Sequence, residues 1–159
     1  QTEQLLANAA QGRFPAYLLR LSGIYGPTRH VLWDQLRDGV DTLPGDGCHW
    51  INQIHRDDIV SAVMVLIKSE IRNPKSEILN VSDDTPVLQG DYVAWCCRRM
   101  GRAPPIFKPG ATVTGKRGRG DFQSNRRISN RALRSLGWMP QYPGYQEGLA
   151  AFAECGRND

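Results

Sequence analysis

With 159 residues, 40% of them hydrophobic and 23% charged, the chain can build one packed core and is not composed like a disordered segment. A formal net charge of +4 leaves it basic, and no run approaches the roughly 18 apolar residues of a membrane span, so no membrane partner is expected. Its cysteines, Cys48, Cys96, Cys97 and Cys155, form no Cys-x-x-Cys pair, so neither a zinc site nor a thioredoxin-like motif is expected.

The chain opens on Gln rather than Met, without a signal-peptide pattern, and reads as an excerpt or a processed product. Reduced thiols place it in the cytoplasm or another reducing compartment. Residues 2–11 read as a short helix that Thr2 can cap, with Leu5, Leu6 and Ala9 on one face and Gly12 after it. Residues 16–21 are a nearly continuous apolar run broken by Arg20, the pattern of a strand covered on both faces in a parallel sheet. A glycine-rich turn follows through Gly26 and Pro27, then a helix around Val31 to Arg37. Pro44 to Gly47 is a turn, and Trp50 to Ile54 a short strand with Trp50, Asn52 and Ile54 on one face. Asp57 or Asp58 caps a helix over 59–69 whose apolar positions run almost all round, which predicts deep packing.

Residues 76–82, "SEILNVS", are a second buried strand, and Asp91 to Met100 a helix stopped at Gly101. The glycine-rich, basic stretch 110–125 reads as an exposed loop. A short strand follows, then a helix capped by Ser129 or Asn130 and ended at Gly137, and a last helix over 145–153. Between Lys116 and Arg134 the cations Lys116, Arg117, Arg119, Arg126, Arg127, Arg131 and Arg134 face only Asp121, a patch that attracts anions. Two buried strands make a poor sheet, so further strands are expected upstream.

Four segments in order, "LRLSGIYGP", "INQIHRDDIVSAV", "ILNVSDD" and "RRISNRALRSLGWMPQYPGYQEGL", resemble the extended short-chain dehydrogenase/reductase family, the NAD(P)-dependent epimerases and dehydratases. Within it the chain is similar to an atypical, uncharacterised branch. The resemblance spans the whole chain and only the C-terminal half of the family's fold. It implies an α/β fold: the C-terminal part of a Rossmann-type parallel sheet plus a small α+β substrate-side subdomain, residues 1–159 being one portion of a larger domain. The family's glycine-rich fingerprint and Tyr-x-x-x-Lys pair fall upstream, so no catalytic residue is expected in this chain. The run from Gly115 to Gly120 has the wrong spacing for the fingerprint and follows no strand.

By the same resemblance, Leu21, Ser22, Gly23 and Ile24 line the nicotinamide of NAD or NADP, with Ser22 where the family usually has Pro. Tyr25, Arg29, His30, His55, Arg56, Lys116 and Arg127 are the expected substrate-side residues, His30 and Arg29 from a loop facing a small-molecule substrate. Asp58 matches an aspartate that anchors its helix. The family's pyrophosphate-binding arginine has no counterpart among Trp50, Ile51, Asn52 and Gln53, which argues against an ordinary nucleotide-sugar substrate. A homodimer through the helices flanking the catalytic Tyr is also implied, with residues 2–11 a remnant of that surface. Two other functions stay open: a non-catalytic NAD(P)-binding sensor or scaffold, and a basic nucleic-acid-binding module, for which Phe122 is the loop's one aromatic.

Overall fold

The computed structural model describes residues 3–5, 8, 16–68, 77–110 and 125–155. The predicted helix over 2–11, the loop over 110–125 and the beginning of the second buried strand lie partly outside them, and Lys116 lies wholly outside. In chain order the elements are β1 (Tyr17–Leu21), β2 (Gly23–Tyr25), α1 (Val31–Arg37), β3 (Thr42–Pro44), β4 (Trp50–Ile51), β5 (Gln53–His55), α2 (Arg56–Lys68), β6 (Glu77–Val81), β7 (Val87–Leu88), α3 (Gln89–Met100), β8 (Ile106–Lys108), α4 (Arg131–Ser135) and α5 (Tyr145–Cys155). The fold is mixed α/β with short parallel pieces, as expected. β1 pairs with β6, β2 with β5 and β3 with β8, all parallel, and β4 pairs with β7 antiparallel. The chain divides into two compact units.

The first unit comprises residues 1–26, 53–85 and 128–159. In its β1–β6 pair Leu19 lies opposite Leu79 and Leu21 opposite Val81. Leu79 and Val81 join Ile54, Ala62, Leu66, Leu133 and Trp138 in one core, with Tyr17, Leu19, Ile24, Ile59, Val65 and Leu136 packed around it. Full burial of such a side chain contributes about 1.5–3 kcal/mol. Trp138 carries a donor into this core, and the Ser61 hydroxyl accepts it at 2.9 Å. Asn130 lies just before α4 and points its amide away from that helix. Its Nδ2 donates to the Ser82 carbonyl at 2.8 Å and to Asp84 Oδ1 at 2.7 Å, tying α4 to the end of β6.

Two expectations fail in this unit. The apolar pattern of α2 predicts packing all round, yet only the side carrying Asp58, Ala62 and Leu66 is buried. An apolar periodicity shows that a helix has hydrophobic faces; it does not show that each has a neighbour. The apolar run of β1 predicts cover on both faces, and Leu21 is exposed at its end, as is Ile78 on β6.

The second unit comprises residues 27–52 and 86–127. Leu36 of α1 and Tyr92, Val93, Cys96 and Cys97 of α3 are its most buried side chains. α3 stops where predicted, at Gly101 with φ 67°, a conformation glycine adopts without steric cost. Arg102 then turns back, its guanidinium donating to the Leu36 carbonyl and, at 3.1 Å, to that of Val40, which satisfies the open end of α1. The predicted strand over 50–54 is divided at Asn52: Trp50 and Ile51 pair with β7, and Gln53 to His55 with β2.

One packing contact makes a direct test. Gly148 of α5 lies against Tyr25, and a Cβ there would sit 2.6 Å from Tyr25 Cε2. Gly148→Ala should therefore destabilise the protein by about 1–3 kcal/mol through overpacking, read as a lower urea midpoint at unchanged slope.

Candidate functional site

The backbone at Ser22 changes partner. β1 runs beside β6, and the Ser22 N–H closes that ladder on the Val81 carbonyl at 3.0 Å. One residue later Gly23 is in register with Gln53, and β2 continues beside β5. β5 enters between the two strands there, and the carboxyl ends of parallel strands where the pairing changes are the place where open α/β sheets bind ligands. The sequence supports the switch: Ser22 and Gly23 interrupt the apolar run with two small residues. Gly23 is exposed and Ile24 half-buried. The Ser22 side chain is buried, and its Oγ meets no hydrogen-bond partner among the described residues.

The polar shell behind this switch is built on Gln53. Its carbonyl accepts from the Asp83 N–H at 2.8 Å and from the Ser82 hydroxyl at 3.3 Å. Gln53 Oε1 and Asp83 Oδ2 are buried oxygens that also lack a partner among the described residues. Native structures leave few such atoms, and bound ligand or water is an ordinary reason for them. Asp83 is 2% exposed, and its Oδ1 accepts from the Thr85 N–H at 3.2 Å. Burial pushes its carboxyl up to about 8, and the nearby charges of Asp84, Asp58 and Glu147 act in the same direction.

Tyr25 and His55 lie deeper. The Tyr25 hydroxyl donates to the Gly144 carbonyl at 3.2 Å, and burial raises its pKa. His55 packs edge-on to Tyr25 with ring centroids 5.3 Å apart and lies 4.0 Å from the Tyr142 ring. Its Nδ1 accepts from the Asp57 N–H at 3.2 Å, which puts the proton on Nε2, and burial lowers its pKa. Asp58 does not cap α2, which begins at Arg56. Its carboxylate accepts from the backbone N–H of Gln141 at 2.6 Å and of Tyr142 at 3.0 Å. Desolvation outweighs these two bonds, so the Asp58 pKa is raised.

The expected substrate-side residues thus separate. Tyr25 and His55 are buried. His30, expected on a loop facing substrate, is buried at the N-cap of α1, its Nδ1 accepting from the Trp33 N–H at 3.1 Å and its Nε2 lying 2.9 Å from the Tyr92 hydroxyl. Desolvation pushes its pKa down to about 4. Arg29 is exposed beside Thr28, whose φ of 74° is strained for a β-branched residue. Arg56 is exposed, its stem lying over Gly26, where a Cβ would stand 2.9 Å from Arg56 Cγ. Arg127 stacks 4.8 Å over the Trp50 ring. Asn125 and Asn52 hold that segment: Asn125 Oδ1 accepts from the Trp50 N–H at 2.7 Å, and Asn52 Nδ2 donates to the Arg126 carbonyl at 2.8 Å. Sequence reasoning missed Gln53, Asp83 and Asn125. The Asp-Asp-Thr-Pro turn signals an aspartate bonding its own backbone, but not its burial.

No group of three metal-ligating side chains gathers among the described residues, and no helix there is long and apolar enough to cross a membrane. No family model matches the chain. A 3-diazoavenalumate denitrifying reductase of Streptomyces is 28% identical over 143 residues, 83% of this chain and 45% of the relative. A structure described as an NAD-dependent epimerase/dehydratase candidate of Methylobacillus flagellatus is 30% identical at a TM-score of 0.65, over 88% of this chain and 47% of its own. The UDP-glucose 4-epimerase of Thermus thermophilus, solved with NAD, shares the fold at a TM-score of 0.73 and 20% identity, over 98% of this chain and 51% of its own. The chain spans about half the length of the relatives it matches. Its structural neighbours are NAD-dependent epimerase/dehydratases and related short-chain dehydrogenase/reductase-like proteins, matched as the C-terminal half of an extended member would be. Neighbours have been solved with NAD or NADPH.

Asp83 has a measurable consequence. Its folded-state pKa lies above the ordinary carboxylate value, so between about pH 4 and about 8 the folded protein holds a proton that the unfolded chain releases. Stability is lost as pH rises through that window, with a slope approaching about 1.4 kcal/mol per pH unit. Asp83→Asn should flatten the pH dependence of the urea midpoint between pH 5 and 8, and should gain on the parent as pH rises.

Proposed function

We propose that this chain is the substrate-side portion of an NAD(P)-dependent epimerase, dehydratase or reductase-like protein acting on a sugar-like or other polar hydroxyl or carbonyl substrate. The upstream half of the same polypeptide would supply the dinucleotide fingerprint and the tyrosine–lysine pair. The observation that supports this reading is the change of partner at Ser22–Gly23, where the chain leaves β6 and continues beside β5, at the carboxyl end of a parallel pair, where open α/β sheets bind ligands.

The residues present suit a nicotinamide. Ser22 brings a buried hydroxyl without a partner among the described residues, and Gly23 presents exposed backbone with no side chain in the way. Leu21 and Ile24 add apolar surface. Bound there, the cofactor would supply hydride acceptance and return. The chain's own work is to shape and exclude. Tyr25 and His55 stiffen the back of β2 and β5, and the neutral Asp83 keeps a formal charge out of that wall near neutral pH. Arg29, Arg56, Lys116 and Arg127 are the cations proposed for an anionic end of the substrate. The lack of an arginine among Trp50, Ile51, Asn52 and Gln53 disfavours a pyrophosphate.

The test uses the intact polypeptide that contains this chain. Gly23→Val should weaken NAD(P)H binding at least tenfold, about 1.4 kcal/mol, with the far-ultraviolet spectrum unchanged. Unaltered affinity would overturn the assignment. Robust NAD(P)H oxidation by residues 1–159 alone would overturn the dependence on an upstream half.

A further inference from the structure

An open cavity of about 300 Å³ lies within the second unit, and neither Ser22 nor Gly23 lines it. Asp46, Cys48, His49, Pro109 and Asn125 are in its walls. That size is at the lower end of small-molecule sites, the range of a one-ring molecule rather than of a nucleoside diphosphate. The residues lining it include one acid, Asp46, and no Lys or Arg. Asp46 Oδ1 accepts from the Cys48 N–H at 2.8 Å, which holds the carboxylate in place. His49 brings no charge near neutral pH, because burial lowers its pKa.

A cation is reached through Asn125. Its Oδ1 accepts from the Trp50 N–H at 2.7 Å, and the Arg127 guanidinium lies 4.8 Å over the Trp50 ring. The segment is held from its backbone, where Asn52 Nδ2 donates to the Arg126 carbonyl at 2.8 Å. Arg127 is exposed and forms no ion pair among the described residues. An aromatic face beneath a guanidinium steadies it and leaves N–H groups to fork an anion. The two oxygens of one carboxylate match that fork.

We infer that the cavity and Arg127 together bind a small organic carboxylate, its body in the cavity and its carboxylate on the guanidinium. Asp46 sets that direction, since it repels an anion from the cavity and leaves the charge to Arg127. A pyrophosphate spreads its charge over two tetrahedral groups and calls for several converging cations, and the strand over Trp50 and Ile51 supplies none. Taken with the proposed function, on which its role as a substrate site rests, the site makes the substrate a small carboxylic acid rather than a nucleotide sugar.

The experiment titrates the intact polypeptide, without dinucleotide, with benzoate, benzamide and pyrophosphate in turn. Proton–nitrogen correlation NMR follows the indole N–H groups of the tryptophans. The expected result is a saturable shift of the Trp50 resonance, with benzoate at least tenfold tighter than either of the other two. Arg127→Lys keeps the charge and loses the fork, and should weaken benzoate about fivefold. Unmoved resonances of Trp33, Trp95 and Trp138 in that variant report an intact fold. Benzamide or pyrophosphate binding as tightly as benzoate would overturn the proposal. So would a Trp50 resonance that benzoate leaves in place, or an affinity indifferent to Arg127→Lys. Each outcome is read without dinucleotide, so none of them decides whether Gly23 meets one.

Discussion

A single carboxylate holds the back of the first unit in place. Asp58 commits both oxygens to the backbone N–H groups of Gln141 and Tyr142, more than eighty positions away in the chain. That clamp sets the Tyr142 ring against His55 and leads the chain into Gly144 and Gly148, the two glycines that Tyr25 meets. Tyr25 and His55 are the ends of β2 and β5, so the loop that Asp58 holds packs against both strand ends. The arrangement costs free energy, since burial raises the Asp58 pKa despite two good bonds.

The same unit shows how buried acids and aromatics share a small space. Asp83 lies near enough for its charge to raise the Tyr25 pKa, and it does so only when ionised. Its own burial keeps it largely protonated near neutral pH. Positive charge is carried by exposed side chains instead, Arg29, Arg56 and Arg127 among them.

Much of the fold was legible in the sequence because local signals carried it. The apolar runs at 16–21 and 76–82 became β1 and β6, paired in parallel as their composition implied. Gly101 ended α3. What was not legible depends on partners remote in sequence. Nothing near Asp58 announces Gln141, and nothing near His30 announces Tyr92. The outer face of α2 is the reverse case, a local pattern read correctly as apolar and wrongly as covered.

The relatives this chain matches are about twice its length, so on the proposed function the strand end at Ser22 is one wall of a larger site. The most direct measurement is proton–proton cross-relaxation between bound NAD(P)+ and the methyl-labelled intact polypeptide. A cofactor seated on this wall predicts contacts from the nicotinamide ring protons to the methyl groups of Leu21 or Ile24. Nicotinamide contacts confined to other methyl groups, with none from this strand end, would contradict it.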